Sequence, residues 1–286
     1  MWNSKNKAIL LIICSALGFA FMNLFVKLAG DLPTMQKCFF RNFVAVFFSL
    51  GVMLIQKVSF IPPKGTVKYL FARSIFGGVG MIANFYAIDH LVIADASMLN
   101  KLSPFFAIIF SFILLKEKPK FYQLMCVVTA LIGAVFILKP GMEGLLSFPA
   151  FIGMLGGAGA GLAYTNVRIA TAKGAPKPLI VFFFSVFTTC LCLPWFVIQY
   201  ETMSLFQWGC MLMAGASATV GQFGITSAYA LAPAKEISVY DYSMIVFAAI
   251  LGMMFLGEVP DWMSFIGYGI IISSGIVMFV KNKSYQ

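Results

Sequence analysis

The chain has 286 residues, of which 61% are hydrophobic and only 10% charged. A soluble domain carries about 25% charged residues, so this composition excludes a soluble globular protein and implies an integral membrane protein. The net charge of +10 invites a nucleic-acid partner, but the lysines lie in short segments between apolar runs, a membrane-topology pattern that excludes one.

Lys5 and Lys7 precede an apolar run that continues to about Ala29 with no small-residue cleavage site, so this reads as a retained first span. Apolar runs bounded by Pro, Gly and charges predict ten spans, at 8–29, 35–56, 67–89, 94–115, 120–138, 148–171, 178–199, 205–231, 235–256 and 261–280. The connecting loops are too short for an extramembrane domain. With the N-terminus inside, thirteen lysines between Lys5 and Lys283 fall in inner segments, and only Lys37 and Lys139 fall outside. Both termini are therefore expected in the cytoplasm and the protein in the plasma membrane.

The fourth span carries the most polar chemistry. In ADASMLNKLSPFFAIIFSFILLKEKP, residues 94–119, Asp95 stands at the start, Asn100, Lys101 and Pro104 inside, and Glu117 at the end. A shift of 141 residues without a gap lays it over KEISVYDYSMIVFAAILGMMFLGEVP, residues 235–260. Asp95 then meets Glu236, Glu117 meets Glu258, Pro119 meets Pro260, Gly18 meets Gly159 and Gly80 meets Gly221. The chain reads as a duplication, with repeats at 1–141 and 142–286. Five spans per repeat is an odd number, so the second repeat enters the membrane inverted, the arrangement of secondary transporters with a site near the midplane. The expected fold is all-α, ten transmembrane helices as two inverted five-helix repeats.

Charged and amide groups within spans are costly in hydrocarbon and point toward a substrate pathway. The candidate binding residues are Arg41, Arg73, Asn84, Ser97, Asn100, Lys101, Asp241 and Tyr242. Arg73, Gly77, Gly80 and Asn84 share one helical stripe, as do Ser97, Lys101 and Pro104. Along straight helices Lys101 lies about 10 Å below the outer face and Asp241 about 9 Å above the inner one. A core about 30 Å thick then leaves roughly 10 Å between them, more than a lysine stem spans. Lys101 is therefore expected to bind substrate without a resting ion pair, its loss sparing the fold, and Asp241 to pair with Arg73. Lys27 and Arg168 are expected to snorkel, Asp95 and Glu236 to cap helix N-termini, and Glu258 to anchor a loop.

No enzyme signature is present: no His-Glu-x-x-His, no Gly-rich phosphate loop, and a single peripheral histidine, His90. The six cysteines lack metal-ligand spacing. No catalytic residue, cofactor or metal is expected.

The ADAS (94–97), LSP (102–104), LLKEKP (114–119) and EVPDW (258–262) segments, with GYGIIISSGIV (267–277), resemble the EamA-domain branch of the drug/metabolite transporter superfamily. Phe40-Arg41, FIPPKG (60–65) and ARSIFGGVGMIANFYAI (72–88) further resemble a solute-carrier branch related to nucleotide-sugar transporters. The resemblance covers nearly the whole chain. It implies a cavity lined by spans one, three, four, six, eight and nine, and a homodimer formed through the Phe121–Leu138 and Trp262–Val280 helices. Members of this superfamily move amino acids, nucleotide sugars, cationic drugs and organic anions, often outward. Lys101 stands where such chains usually have a neutral residue, which argues against a cationic drug. The expected function is alternating-access export or exchange of a small organic anion, a carboxylate metabolite, across the bilayer. The alternatives are a zwitterionic amino acid, whose ammonium would suit Asp241, and a membrane receptor that transports nothing.

Overall fold

The computed structural model describes residues 4–116, 118–138, 147–231 and 238–284, and among them all regular structure is helical. The elements are α1 (Ser4–Leu28), α2 (Thr34–Ile55), α3 (Val67–His90), α4 (Ile93–Asn100), α5 (Ser103–Leu115), α6 (Phe121–Leu138), α7 (Phe148–Ala172), α8 (Lys177–Ile198), α9 (Leu205–Leu231), a 3₁₀ turn (Ser238–Tyr242), α10 (Ser243–Leu256) and α11 (Trp262–Ser284). Glu117, Lys139, Lys235, Glu236 and the 141/142 repeat boundary lie outside the described residues.

Among the described residues, six segments are long and apolar enough to cross a bilayer: Asn6–Leu28, Thr34–Ile55, Val67–His90, the joined Ile93–Leu115, Lys177–Ile198 and Trp262–Lys281. Phe121–Ile137 and Tyr240–Leu256 are shorter apolar helices. α7 and α9, with 25 and 27 residues, have the length but dilute their apolar character with Gly and Ala. Large apolar side chains such as Phe47, Ile55, Ile113, Phe121 and Leu205 cover the outside of the bundle. Such a surface has no partner in water and suits acyl chains, as expected of a multi-pass membrane protein.

The fourth predicted span is broken. Lys101 ends α4 with φ −73° and ψ 3°, the Leu102 amide turns back to Leu99 O at 3.2 Å, and Pro104 opens α5. A proline ring collides with the carbonyl four residues earlier, here that of Asn100, and suits a first turn, where no N–H is needed. The ninth span is interrupted at the equivalent depth by the 3₁₀ turn before α10. α4 and α10 pack against each other, which brings the two interruptions together.

Helix pairing follows the 141-residue register. α1 packs on α9 and its shifted counterpart α7 packs on α3; α1 also meets α10 as α7 meets α5, while α2 pairs with α8 and α6 with α11. The closest crossings are built from glycine. A Cβ on Gly18 would lie 2.9 Å from Gly221 N, and one on Gly159 would lie 2.9 Å from Phe76 O and 3.0 Å from Gly80 Cα. In lipid such small-residue seams are what permit backbones to meet. α6 and α11 interlock likewise, since a Cβ on Gly267 would lie 2.8 Å from Gly133 O.

Candidate functional site

At mid-depth, between α1, α3, α4, α7, α8 and α9, lies a cavity of about 110 Å³. Each helix brings a specific group to it. α3 turns the stripe Arg73, Gly77, Gly80 and Asn84 inward; Gly77 leaves room for the Arg73 guanidinium lying along its own helix, and Gly80 lets the α7 backbone approach. α2 adds Arg41, and the broken fourth span adds Asn100 and Lys101.

Of the eight residues singled out in the sequence, Arg41, Arg73, Asn84, Asn100 and Lys101 line this cavity. The other three do not. Ser97 is fully buried behind Asn23, whose Nδ2 donates to Ser97 Oγ at 3.0 Å. Tyr242 points toward α11, where its ring sits 2.7 Å from the position a Gly275 Cβ would take. Neighbours in a 3₁₀ turn point about 120° apart, so Tyr242 faces away from the cavity when Asp241 faces toward it. Asp241 itself is reached only through Lys101.

The expectation for Lys101 is corrected. Its Nζ donates to Asp241 Oδ2 at 2.6 Å, so the two form an ion pair in the empty protein. The gap inferred from straight helices disappears because both helices are interrupted at that depth. Arg73, expected beside Asp241, instead lays its guanidinium 4.0 Å from the centre of the Phe184 ring, a cation–π contact. Arg41 donates from Nη1 to Asn42 Oδ1 at 2.7 Å. Neither arginine meets a carboxylate among the described residues, both are only 7% exposed, and each has a buried Nε with no partner. Once Lys101 is neutralised by Asp241, two buried positive charges remain uncompensated.

Among the lining residues that sequence reasoning missed are Asn23 on α1, Tyr164 on α7, Phe184 on α8 and Gln222 on α9. Asn23 and Gln222 carried a signal, since each is an uncharged amide inside an apolar span. Phe184 carried none in a chain with 31 phenylalanines.

One end of the bundle, where α1 and α3 finish and α2, α4 and α9 begin, is closed by polar contacts; we term it the far end. Lys27 pairs with Glu258 and donates to Leu91 O, so it does not snorkel. Glu258 Oε2 accepts the Ile93 amide at 2.8 Å, capping α4 from a distant loop. Asp95 stands in the first turn of α4, and its Oδ1 accepts from Tyr268 Oη at 2.6 Å. Lys37 pairs with Asp89 at 2.5 Å, the Gln36 amide exchanges hydrogen bonds with the Glu201 backbone at 2.9 and 3.0 Å, and Gln207 Nε2 donates to Ala29 O at 3.0 Å. All of these contacts but Lys37–Asp89 and Lys27–Leu91 join elements of the two halves of the chain.

Comparison with known proteins agrees with this architecture. The chain is 32% identical to the pseudopaline exporter CntI of Pseudomonas aeruginosa, over 97% of each. It is 26% identical to human solute carrier family 35 member G1, covering 96% of this chain and 79% of the relative. It is 22% identical to the S-adenosylmethionine uptake transporter of Rickettsia bellii, over 90% and 87%. A solved crystal structure 14% identical superposes with a TM-score of 0.68 over 99% of both chains, so the fold is shared. The profile of the EamA-like transporter family matches residues 6–139 and again 147–280, two segments that begin 141 residues apart. The chain is a multi-pass membrane transporter and belongs to the EamA-like transporter family.

Proposed function

We propose that the protein exports or exchanges a small organic anion, a carboxylate metabolite, by alternating access. The observation that carries this reading is the pair Arg41 and Arg73, buried at the cavity without an acidic partner among the described residues. An unpaired buried cation is held at a cost of several kcal/mol, which a carboxylate would offset through the planar guanidinium fork. A zwitterionic amino acid fits less well, because the carboxylate that would receive its ammonium is occupied by Lys101. Export accords with the pseudopaline exporter among the relatives.

In this reading ten spans form two inverted repeats that rock about the cavity. The chain resides in the plasma membrane with both termini in the cytoplasm, and the far end faces outward. A homodimer through the outer faces of α6 and α11 belongs to the same proposal; an oligomer measurement in lipid nanodiscs that finds monomers only would remove it. Substrate class is tested by thermal unfolding of the purified protein across a metabolite panel, since a ligand that binds the native state raises stability by mass action. Carboxylates should stabilise and be taken up in counterflow by proteoliposomes. Stabilisation by cationic or uncharged compounds alone would overturn the anion assignment, and a folded protein that exchanges nothing would favour a receptor.

The far-end seal supplies a separate prediction. Glu258→Gln leaves Lys27 without its charge partner and should shift molecules toward a state open at that end. The readout is faster modification of a cysteine substituted for Asn23 by a membrane-impermeant reagent added outside. Unchanged labelling would show that the seal is not the gate.

A further inference from the structure

Resting on the organic-anion reading, we infer that the substrate is a short dicarboxylate, one carboxylate taken by Arg41 and the other by Arg73, with a hydroxyl group between them. Charge supplies the first reason. The Lys101–Asp241 pair is neutral as it stands, so the cavity holds two uncompensated cations. A monocarboxylate leaves one of them buried and unpaired, and a zwitterion leaves a net charge of two. A dianion neutralises both.

Direction supplies the second reason. Arg41 stands two turns from the N-terminus of α2 and Arg73 two turns from the N-terminus of α3, helices that run oppositely between the two ends of the bundle. Counted along their helices, each arginine stands about 10 Å from the end at which its helix begins, and both line the same cavity. Two anionic groups spaced along one molecule meet this arrangement. A single phosphate, which concentrates its charge on one centre, would need both forks to converge. Arg73 is further held by the Phe184 ring, and each guanidinium keeps a buried, unused Nε–H that completes a bidentate grip on a carboxylate.

The amides supply the third. Asn84 Oδ1 and Asn23 Oδ1 are buried acceptors without a donor, on residues that line the same cavity. A hydroxyl on the carbon chain would donate to one of them, which a plain alkyl dicarboxylate cannot do.

The experiment is thermal unfolding of the detergent-purified full chain with lactate, succinate, malate, glycerol 3-phosphate and inorganic phosphate, followed by counterflow in proteoliposomes. Malate and succinate are expected to bind roughly 10- to 100-fold tighter than lactate, and malate several-fold tighter than succinate, from charged and neutral hydrogen bonds respectively. Arg41→Gln and Arg73→Gln should each reduce the dicarboxylates to the level of lactate. Without ligand, each variant should melt no lower than wild type, because a buried unpaired cation has been removed. A lower melting point in both ligand-free variants would assign the arginines a structural role and overturn the inference. Lactate binding as tightly as malate would overturn it while leaving the organic-anion reading intact. Tighter binding of glycerol 3-phosphate or phosphate would replace it with a single-centre dianion, and failure of every anion to bind would remove both readings.

Discussion

Lys101→Met is expected to destabilise the folded protein by about 3 kcal/mol, the lower end of the range for breaking a buried ion pair, since Lys101 borders a cavity. The cost arises on the side left behind. Asp241 Oδ1 already has no hydrogen-bond partner, so losing the 2.6 Å contact at Oδ2 strands a whole carboxylate between α4 and α10. Asp241→Leu should cost a similar amount by stranding the ammonium. The double variant Lys101→Met/Asp241→Leu should recover most of the loss, because apolar residues of similar volume can replace a buried pair at little cost. Denaturant or thermal unfolding in mild detergent measures all three. A Lys101→Met protein as stable as wild type would show that the pair does not hold the two interrupted helices together.

Gly159→Val and Gly18→Val are expected to cost about 3 kcal/mol each and to abolish transport. At both positions the added carbon would strike backbone, Phe76 O and Gly80 Cα in one case and Gly221 N in the other. Backbone cannot swing aside as a side chain can, so α7 must part from α3, or α1 from α9. α3 and α7 carry Arg73, Asn84 and Tyr164, and separating them moves the cavity walls. Because the two glycines are register equivalents, their losses should match. Gly209, where an added Cβ would meet nothing within 4 Å, is the control, and Gly209→Ala should leave both stability and counterflow near wild type. Tolerance of valine at Gly18 or Gly159 would mean that the seams are not close-packed.

Helix positions and the 141-residue register were readable because apolar length and the Gly, Glu and Pro coincidences depend on local sequence. The stripe from Arg73 to Asn84 was readable too, since α3 runs unbroken and 3.6 residues per turn placed its inward face. Reasoning failed where geometry departs from a straight helix. Pro104 marked the fourth span as irregular, yet the depth of Lys101 was counted as though the helix continued, and the ion pair was lost in that count. The 3₁₀ turn at Ser238–Tyr242 carries no proline of its own and left no local trace. Lys27 looked like a snorkelling end residue because its partner, Glu258, lies in a loop 231 positions later. Phe184 was invisible for a different reason: an aromatic ring reads as packing until a cation is found upon it.

The spacing of the central ion pair bears on how the protein is made. Asp241 follows Lys101 by 140 residues, and ribosomes add about 5–20 residues per second. The lysine therefore leaves the ribosome on the order of 10 s before the carboxylate that neutralises it exists. During that interval the fourth span must enter the membrane as a lone cation on a helix split by its own proline. The split shortens the stretch that must be threaded around the charge, and it keeps Lys101 near polar backbone at the break. Nascent chains halted before residue 241 should accordingly retain this broken span in a water-lined insertion site longer than chains halted after it.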